Sequence, residues 1–195
     1  MGNRMRHVIL SAVTRLMIGL GALAVLVASG PMRVSSSSHP RYVNYSYGFE
    51  VTLPAGLTYL RTSPPNPDHG IDVALHEGND VWVDATYTDA ASTDEEARMH
   101  SPRCKLELWQ EASLGGLPAR LTQISCPAEY GEKAYQERSV LTVYANEDRG
   151  PARYAVAARA TEGKISARAA ELLNALVGSF RFRKVTEGPK RPARP

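Results

Sequence analysis

The chain has two cysteines in 195 residues, and neither lies in its first hundred. No sulfur is therefore available near the N-terminus for the thioether that attaches lipid to bacterial lipoproteins, so that type of anchor is excluded. The two cysteines also lack the CxxC spacing that favours an activated thiolate in redox proteins. We expect the pair to have a structural role.

The common motifs of catalysis are missing as well. The sequence has no GxSxG, no phosphate-binding P-loop, no GxGxxG and no HExxH, and the nearest string, HEGND at residues 76–80, ends in aspartate. The histidines are scattered without the spacing of metal ligands: His7, His39, His69, His76 and His100. We expect a protein that is not an enzyme and that carries no metal and no cofactor.

No acidic residue precedes Glu50, and the apolar run at 16–28 is short. As a helix this run would be only about 20 Å long, against a hydrocarbon core of about 30 Å. Three arginines accompany it, which is the charge pattern of a secretory signal. We expect residues 1–29 to be removed as a signal peptide, leaving a periplasmic or secreted protein. The alternative is an uncleaved inner-membrane anchor that starts near Val8.

Charge is unevenly distributed along the chain. Loss of residues 1–29 would remove three arginines and no acid, which brings the formal net charge from +3 to zero. The tail at 184–195 is basic and Pro-rich, so the body between is mildly acidic and offers no electrostatic footprint for nucleic acid. We expect the tail to be solvated and disordered, or alternatively to touch anionic membrane or cell wall.

Residues 41–183, which follow a flexible Ser-rich lead at 30–40, are expected to form one domain. Capping residues at Ser92 and Thr93 predict a short helix, and an apolar stripe after Ile165 predicts a second one. Alternating or β-rich patterns predict strands at 48–53, 57–61, 71–76, 81–87, 134–145 and 153–160. Because short turns join most strands, we predict an α+β fold, an antiparallel sheet with helices packed mainly on one face.

The segment between Cys104 and Cys126 has the pattern of a β-hairpin centred on Gly115. Arms of equal length place the two cysteines opposite each other, and in an oxidising compartment we expect them to form a disulfide. The same register places Trp109 opposite Leu121.

A second hairpin offers a candidate site. If the apolar residues of its two strands share one face, the loop holds an odd number of residues, such as 77–79, and the opposite face then pairs Asp72 with Asp84. His76 and Trp82 lie on that same face. Two carboxylates directly across a sheet repel each other unless a cation lies between them. The hypothesis is a polar site of these four residues that holds a cation or a partner's basic side chain. The alternative is a solvated face that a neighbouring strand neutralises.

Three aromatic residues, Tyr45, Tyr47 and Trp109, stand among small or polar neighbours in the sequence. Exposed aromatic side chains of this kind can anchor a protein partner. The alternative is that they are sheet-forming residues covered by other elements.

The order of elements, with the segment YGFEVTLPAGL at 47–57, resembles the PsbP-like family of α/β/α sandwich proteins and its small bacterial envelope relatives. The segments LPARL at 117–121 and SFRF at 179–182 are similar to a strand and to the ending of those proteins. The resemblance covers residues 42–183 and implies the fold. Members of the family are typically accessory proteins that stabilise a complex or bind a partner. The disulfide and the basic tail set this chain apart from the photosynthetic members.

Three functions follow from these observations. The first is an exported, non-enzymatic protein of the bacterial envelope that binds a protein partner as an assembly factor, inhibitor or immunity-type protein. The second is a sensor of a small ligand or cation, and the third is a hydrolase with a site that matches no known motif.

The export hypothesis predicts the mass of the mature protein. When the full-length chain is produced in a bacterial host with a C-terminal tag, the soluble periplasmic form should lack residues 1–29 and should gain the mass of two hydrogens on reduction. Intact mass spectrometry of cell fractions measures both. A full-length membrane-bound species would instead indicate an anchor, and two free thiols would contradict export.

Overall fold

In the computed structural model, the residues described are 39–57, 69–75, 78–99, 102–129, 131–146 and 150–183. The expected signal, most of the lead, the tail, and residues 58–61 of an expected strand lie outside this part. In chain order the elements are β1 (Arg41–Asn44), β2 (Phe49–Thr52), β3 (Gly70–Leu75), β4 (Asn79–Tyr87), α1 (Thr93–Arg98), β5 (Lys105–Leu114), β6 (Leu117–Cys126), β7 (Tyr135–Asn146), β8 (Gly150–Thr161), α2 (Ala167–Ser179) and β9 (Arg181–Phe182).

Nine strands form two antiparallel sheets in the described part of the chain. The larger sheet has six strands in the order β3-β4-β8-β7-β6-β5, and the smaller has three in the order β1-β2-β9. The smaller sheet and the longer helix α2 share a hydrophobic core with one face of the larger sheet, which we call the inner face. The α+β class predicted from the sequence is confirmed.

Alternation along the central strands explains why one face is buried. In β4 the side chains of Val81, Val83 and Ala85 are fully buried on the inner face, while Trp82 is half-buried on the other side. Because successive side chains of a strand point to opposite faces, this period of two places the large apolar residues in one layer. Full burial of each valine stabilises the fold by about 1.5–3 kcal/mol.

Helix α2 and the aromatic residues close the core. Ser166 caps the helix, since its hydroxyl accepts a hydrogen bond from the backbone N–H of Ala169. Four residues of α2 form the predicted apolar stripe and are buried: Ala169, Leu172, Leu173 and Leu176. Just beyond the helix, the Phe180 ring stacks on Phe49 of β2 at a centroid distance of 5.2 Å. This contact joins α2 to the smaller sheet.

The short helix α1 lies on the opposite side of the larger sheet, which we call the outer face. Its N-cap is Ser92, whose hydroxyl accepts from the backbone N–H of Glu95, as the capping residues predict. Thr93 also accepts a hydrogen bond from the backbone N–H of Val143 at 3.0 Å. The latter bond fixes the start of the helix to strand β7.

The cysteine hairpin contains the predicted disulfide between Cys104 and Cys126. Its register is correct beside the disulfide and wrong by one residue further on, because Trp109 faces Thr122 and not Leu121. Gly115 and Gly116 both have positive φ and form a two-residue turn. A hairpin centred on Gly115 alone would need a turn with an odd number of residues. A bulge between residues 106 and 108 reconciles the two-residue turn with the cysteine pairing.

The predicted register of the β3–β4 hairpin is wrong by two residues, although the faces are correct. Asp72 faces Trp82, and Gly70 faces Asp84. The reason is that Asn79 belongs to the strand: its side chain is buried and its Oδ1 accepts a hydrogen bond from the backbone N–H of Ser166 at 3.1 Å. The turn therefore ends at Gly78, whose φ is +71°.

Neither described helix is both long and apolar enough to cross a membrane.

The turn glycines give a test of the hairpin geometry. A Cβ on Gly115 would lie 2.6 Å from a ring carbon of Phe182, whereas a Cβ on Gly116 meets nothing within 4 Å. Both substitutions to alanine strain a positive φ, so the difference between them isolates the contact with the ring. Gly115→Ala should lower the free energy of unfolding by about 1–3 kcal/mol more than Gly116→Ala. Chemical denaturation measures both, and equal losses would contradict the geometry.

Candidate functional site

The outer face is only partly covered. Ala97 of α1 packs against Leu141 and Ala155, with Trp109 at the margin of this small cluster. Beyond the helix the central strands carry small side chains on this face, namely Ala155, Ala157, Ser139 and Thr122. Because these side chains are small, a hollow remains beside α1, and they form its floor.

The hollow has a volume of about 230 Å³. The Thr122 and Ser139 hydroxyls on its floor hydrogen-bond to each other at 3.0 Å. Apolar and charged side chains share its walls, and the residues that line it are Trp82, Glu96, Ala97, Met99, Thr122, Ile124, Glu137, Ser139, Leu141, Arg153, Ala155, Ala157 and Arg159.

One buried charge cluster joins strands β4 and β8 to helix α1. The Arg153 guanidinium pairs with the Asp84 carboxylate, and its Nε lies 3.8 Å from Oε1 of Glu96. The other Glu96 oxygen accepts a hydrogen bond from the hydroxyl of Thr88. Burial raises the pKa of Asp84, while the attraction and hydrogen bond of Arg153 lower it. Arg153 is thus the cation that makes a carboxylate tolerable at this depth.

A second cluster lies on strands β7 and β8. Arg159 donates two hydrogen bonds to one oxygen of Glu137, at 3.1 and 2.7 Å. Its guanidinium lies 5.4 Å from the Trp82 ring centroid and 4.3 Å from that of Tyr135. These contacts fix Arg159 in place beside the hollow.

A third group of charged residues surrounds Trp109 of strand β5 on the outer face. Arg98 and Arg120 lie 5.0 and 5.7 Å from the Trp109 ring centroid. Arg120 donates to Asp94 at 2.6 Å and lies 3.5 Å from a Glu111 oxygen. The hydrogen bond from Arg120 holds the pKa of Asp94 below its usual range. The pair ties α1 to strand β6.

The structure brings most of the sequence-predicted site residues to the outer face. Asp72, Trp82 and Asp84 all lie there, whereas His76 is outside the described residues. Burial, followed by repulsion from Asp80, raises the pKa of Asp72. The neutralising arginine of the solvated-face alternative is present at Asp84, where Arg153 supplies it from the neighbouring strand β8.

The three aromatic residues proposed as anchors have different surroundings. Tyr45 is 55% exposed and Trp109 is half-buried on the outer face. Tyr47 is only 7% exposed, so an exposed anchor is wrong for this residue. Its ring lies 5.2 Å from that of His69, and its backbone carbonyl accepts the Tyr154 hydroxyl. These contacts tie it to the core.

Glu96, Glu137, Arg153 and Arg159 were not among the sequence-predicted residues. Each pairs with a residue that is distant in the sequence, so local spacing carries no information on the pairing. A usable signal was the segment RYAVAAR at 153–159, in which two arginines frame two alanines on the same face of one strand. Within the described residues, no group of three or more His, Cys, Asp or Glu is placed to hold a metal ion.

No protein-family model matches the chain, and no curated protein sequence is detectably similar to it. Solved structures do match. LpqN of Mycobacterium tuberculosis, a protein involved in cell envelope biogenesis, matches with a TM-score of 0.50 and 13% identity over 77% of this chain and 88% of LpqN. At this identity the likeness is one of fold.

Two further structures are more distant. The Ran-binding protein Mog1p of Saccharomyces cerevisiae has a TM-score of 0.49 and 12% identity, over 75% of this chain and 96% of its own. Cyanobacterial PsbP from Synechocystis has a TM-score of 0.45 and 15% identity, over 78% and 99%. A PsbP protein is thus among the matched structures.

The buried pair on the outer face predicts a pH-dependent loss of stability. Arg153→Met would leave Asp84 without its cation, which raises the pKa of this carboxyl further. A folded-state pKa above the unfolded value makes the variant lose stability as pH rises and regain it as pH falls towards about 4. The free energy of unfolding of the variant should be about 3 kcal/mol lower than that of the wild type at about pH 7, and the difference should be smaller at about pH 4.

Urea denaturation of both proteins at the two pH values measures this difference. Arg41→Met is the matched control, because Arg41 pairs with Glu50 at the surface and its side chain is 51% exposed. This substitution should lower the free energy of unfolding by at most about 1 kcal/mol. A loss for Arg153→Met that does not change with pH would show that Asp84 is not the group left unpaired.

Proposed function

We propose that the chain is an exported, non-enzymatic protein of the bacterial envelope that binds a protein partner through its outer face. The observation that carries the proposal is the hollow beside α1, where Trp82 and two engaged arginines surround a floor of small side chains. Interfaces gain most of their binding free energy from a few aromatic and arginine residues around well-formed pockets. The outer face provides both residue types.

The chemistry of the hollow supports binding over catalysis. Its two floor hydroxyls bond to each other, and no histidine is among the described residues that line it. An activated hydroxyl nucleophile needs an adjacent base within hydrogen-bond reach. The carboxylates that line the hollow are instead engaged by arginines.

Export is supported by the N-terminal sequence pattern and by the disulfide. Disulfides persist in oxidising compartments, and Cys104 and Cys126 account for all cysteines of the chain. LpqN, which shares the fold, is involved in cell envelope biogenesis. These observations support a partner in the envelope.

The proposal predicts which surface contacts the partner. A photo-crosslinking amino acid in place of Met99, which is 57% exposed at the hollow, should yield one discrete adduct in cells that produce the full-length chain. The same amino acid in place of Asn174, exposed on α2, should yield none. Trp82→Ala should reduce the adduct from position 99. Gel mobility and mass spectrometry measure the yield and identify the crosslinked protein.

Adducts of equal yield from both positions would contradict a specific outer-face interface, and so would an adduct from position 99 that Trp82→Ala leaves unchanged. Absence of any adduct would favour the alternative of a small-ligand sensor. A ligand of that kind should raise the melting temperature of the purified protein, because binding to the folded state stabilises it by mass action.

A further inference from the structure

The outer face around the hollow carries more carboxylates than cations. Among the described residues of this region there are two guanidinium groups, Arg153 and Arg159. Five carboxyl groups share the region: Asp72, Asp80, Asp84, Glu96 and Glu137. The group around Trp109 does not change this balance, because its two arginines, Arg98 and Arg120, stand beside two carboxylates, Asp94 and Glu111.

The excess of negative charge persists when buried carboxyls are counted as neutral. Burial raises the pKa of both Asp72 and Asp84, which favours their protonated forms. With both protonated, three carboxylates still face two arginines. The region therefore has an unbalanced negative charge in either case.

Hydrogen bonding shows the same shortage of donors. Oδ1 of Asp72 and Oδ1 of Asp84 are buried and have no hydrogen-bond partner among the described residues. Oε1 of Glu96 is 3.8 Å from the Arg153 guanidinium, which is beyond hydrogen-bond distance. Nε of Arg153 is a buried donor without a partner in the same region, so two acceptors stand against one donor. Buried carboxylate oxygens without donors are costly, and at least one of the two needs a donor from elsewhere.

The hollow has the size and the walls for a long side chain. Its volume of about 230 Å³ is several times the roughly 30 Å³ that one water molecule occupies in the liquid. Glu96 and Glu137 line it together with the two arginines that pair with them, and the aspartates of β3 and β4 add negative charge beside it on the same face. The Trp82 ring offers an aromatic surface to a cation, and Met99 is a flexible side chain at the rim that can adapt to an occupant.

We propose that the hollow binds one basic side chain, lysine or arginine, of the partner polypeptide. This inference rests on the proposed function, in which the outer face binds a protein. Glu137 and Glu96 supply the negative charge that selects the cation, and the ring of Trp82 contacts its aliphatic stem. A neutral side chain gains nothing from the excess of negative charge and an acidic one is repelled by it, so both bind less well.

Small probes test this directly on the purified disulfide-bonded protein. Nα-acetyl-lysine amide and Nα-acetyl-arginine amide, with free side chains, are the cationic probes. Nα-acetyl-norleucine amide and Nα-acetyl-citrulline amide are their neutral counterparts of similar shape. Two-dimensional NMR should show shifts of the Ala155 and Ala157 amides with at least one cationic probe and with neither neutral one. Added salt should weaken the response.

Glu137→Gln should weaken binding of the cationic probe about tenfold, because it removes one charge at close range. Glu171→Gln is the matched control, since Glu171 is exposed on α2 and away from the outer face. It should leave the affinity unchanged. The proposal is overturned if no probe shifts the two alanine amides, if neutral and cationic probes act equally, or if Glu137→Gln binds as the wild type does.

Failure here is distinct from failure of the proposed function. An adduct from position 99 that depends on Trp82, without any response to the cationic probes, would retain the protein interface and reject the basic side chain. A response to cationic probes without any adduct would show that the hollow binds small cations and would reject a polypeptide as its occupant.

Discussion

The fold depends on one constraint, which is that the large apolar side chains of the six-stranded sheet that are fully buried lie on one face. The valines of β4 and Val156 of β8 are fully buried against α2 and the smaller sheet, and this burial is the main source of stability. On the outer face β8 carries two alanines between two arginines, and β4 carries Trp82 between two aspartates. A six-residue helix covers part of this surface, so the hollow follows from the division of side chains between the two faces.

The charged groups on the outer face are poorly explained by stability alone. A buried ion pair recovers little of the free energy lost on desolvation, and apolar residues of similar volume often stabilise a fold as well. Asp84 and Arg153 nevertheless occupy the centre of this face, and carboxylate oxygens there lack donors. Groups that cost stability at one surface are expected where a partner completes their hydrogen bonds.

Much of the fold could be predicted from the sequence. The alternation in β4, the capping residues of α1 and the apolar stripe of α2 are local patterns, and each of them is present in the structure. The pairing of Cys104 with Cys126 is present as well, although a bulge makes the two arms of their hairpin unequal. The β3–β4 register was less accessible, because it depends on a hydrogen bond that Oδ1 of Asn79 accepts from the backbone N–H of the distant Ser166. The smaller sheet also pairs strands from the two ends of the domain, which local patterns do not reveal.

The candidate site was predictable in part. The alternation of side chains along β3 and β4 predicted that Asp72, Trp82 and Asp84 share one face. The prediction holds although the register is wrong, because a shift of two residues leaves the faces unchanged. The partners of these residues come from β7, β8 and α1, and only the order of strands in the sheet brings them together. The burial of Tyr47 likewise depends on the packing of a separate strand against it.

The central claim is that the hollow on the outer face is where a partner binds. Ala157→Leu would fill this hollow while leaving every charge in place, and Ala167→Leu, at an exposed position of α2, is the control. Size-exclusion chromatography of the tagged full-length chain from its envelope fraction should show a complex for the wild type and for Ala167→Leu. Ala157→Leu should be folded, with its melting temperature preserved, but free of the partner. Retention of the complex by folded Ala157→Leu would contradict a role for the hollow in binding.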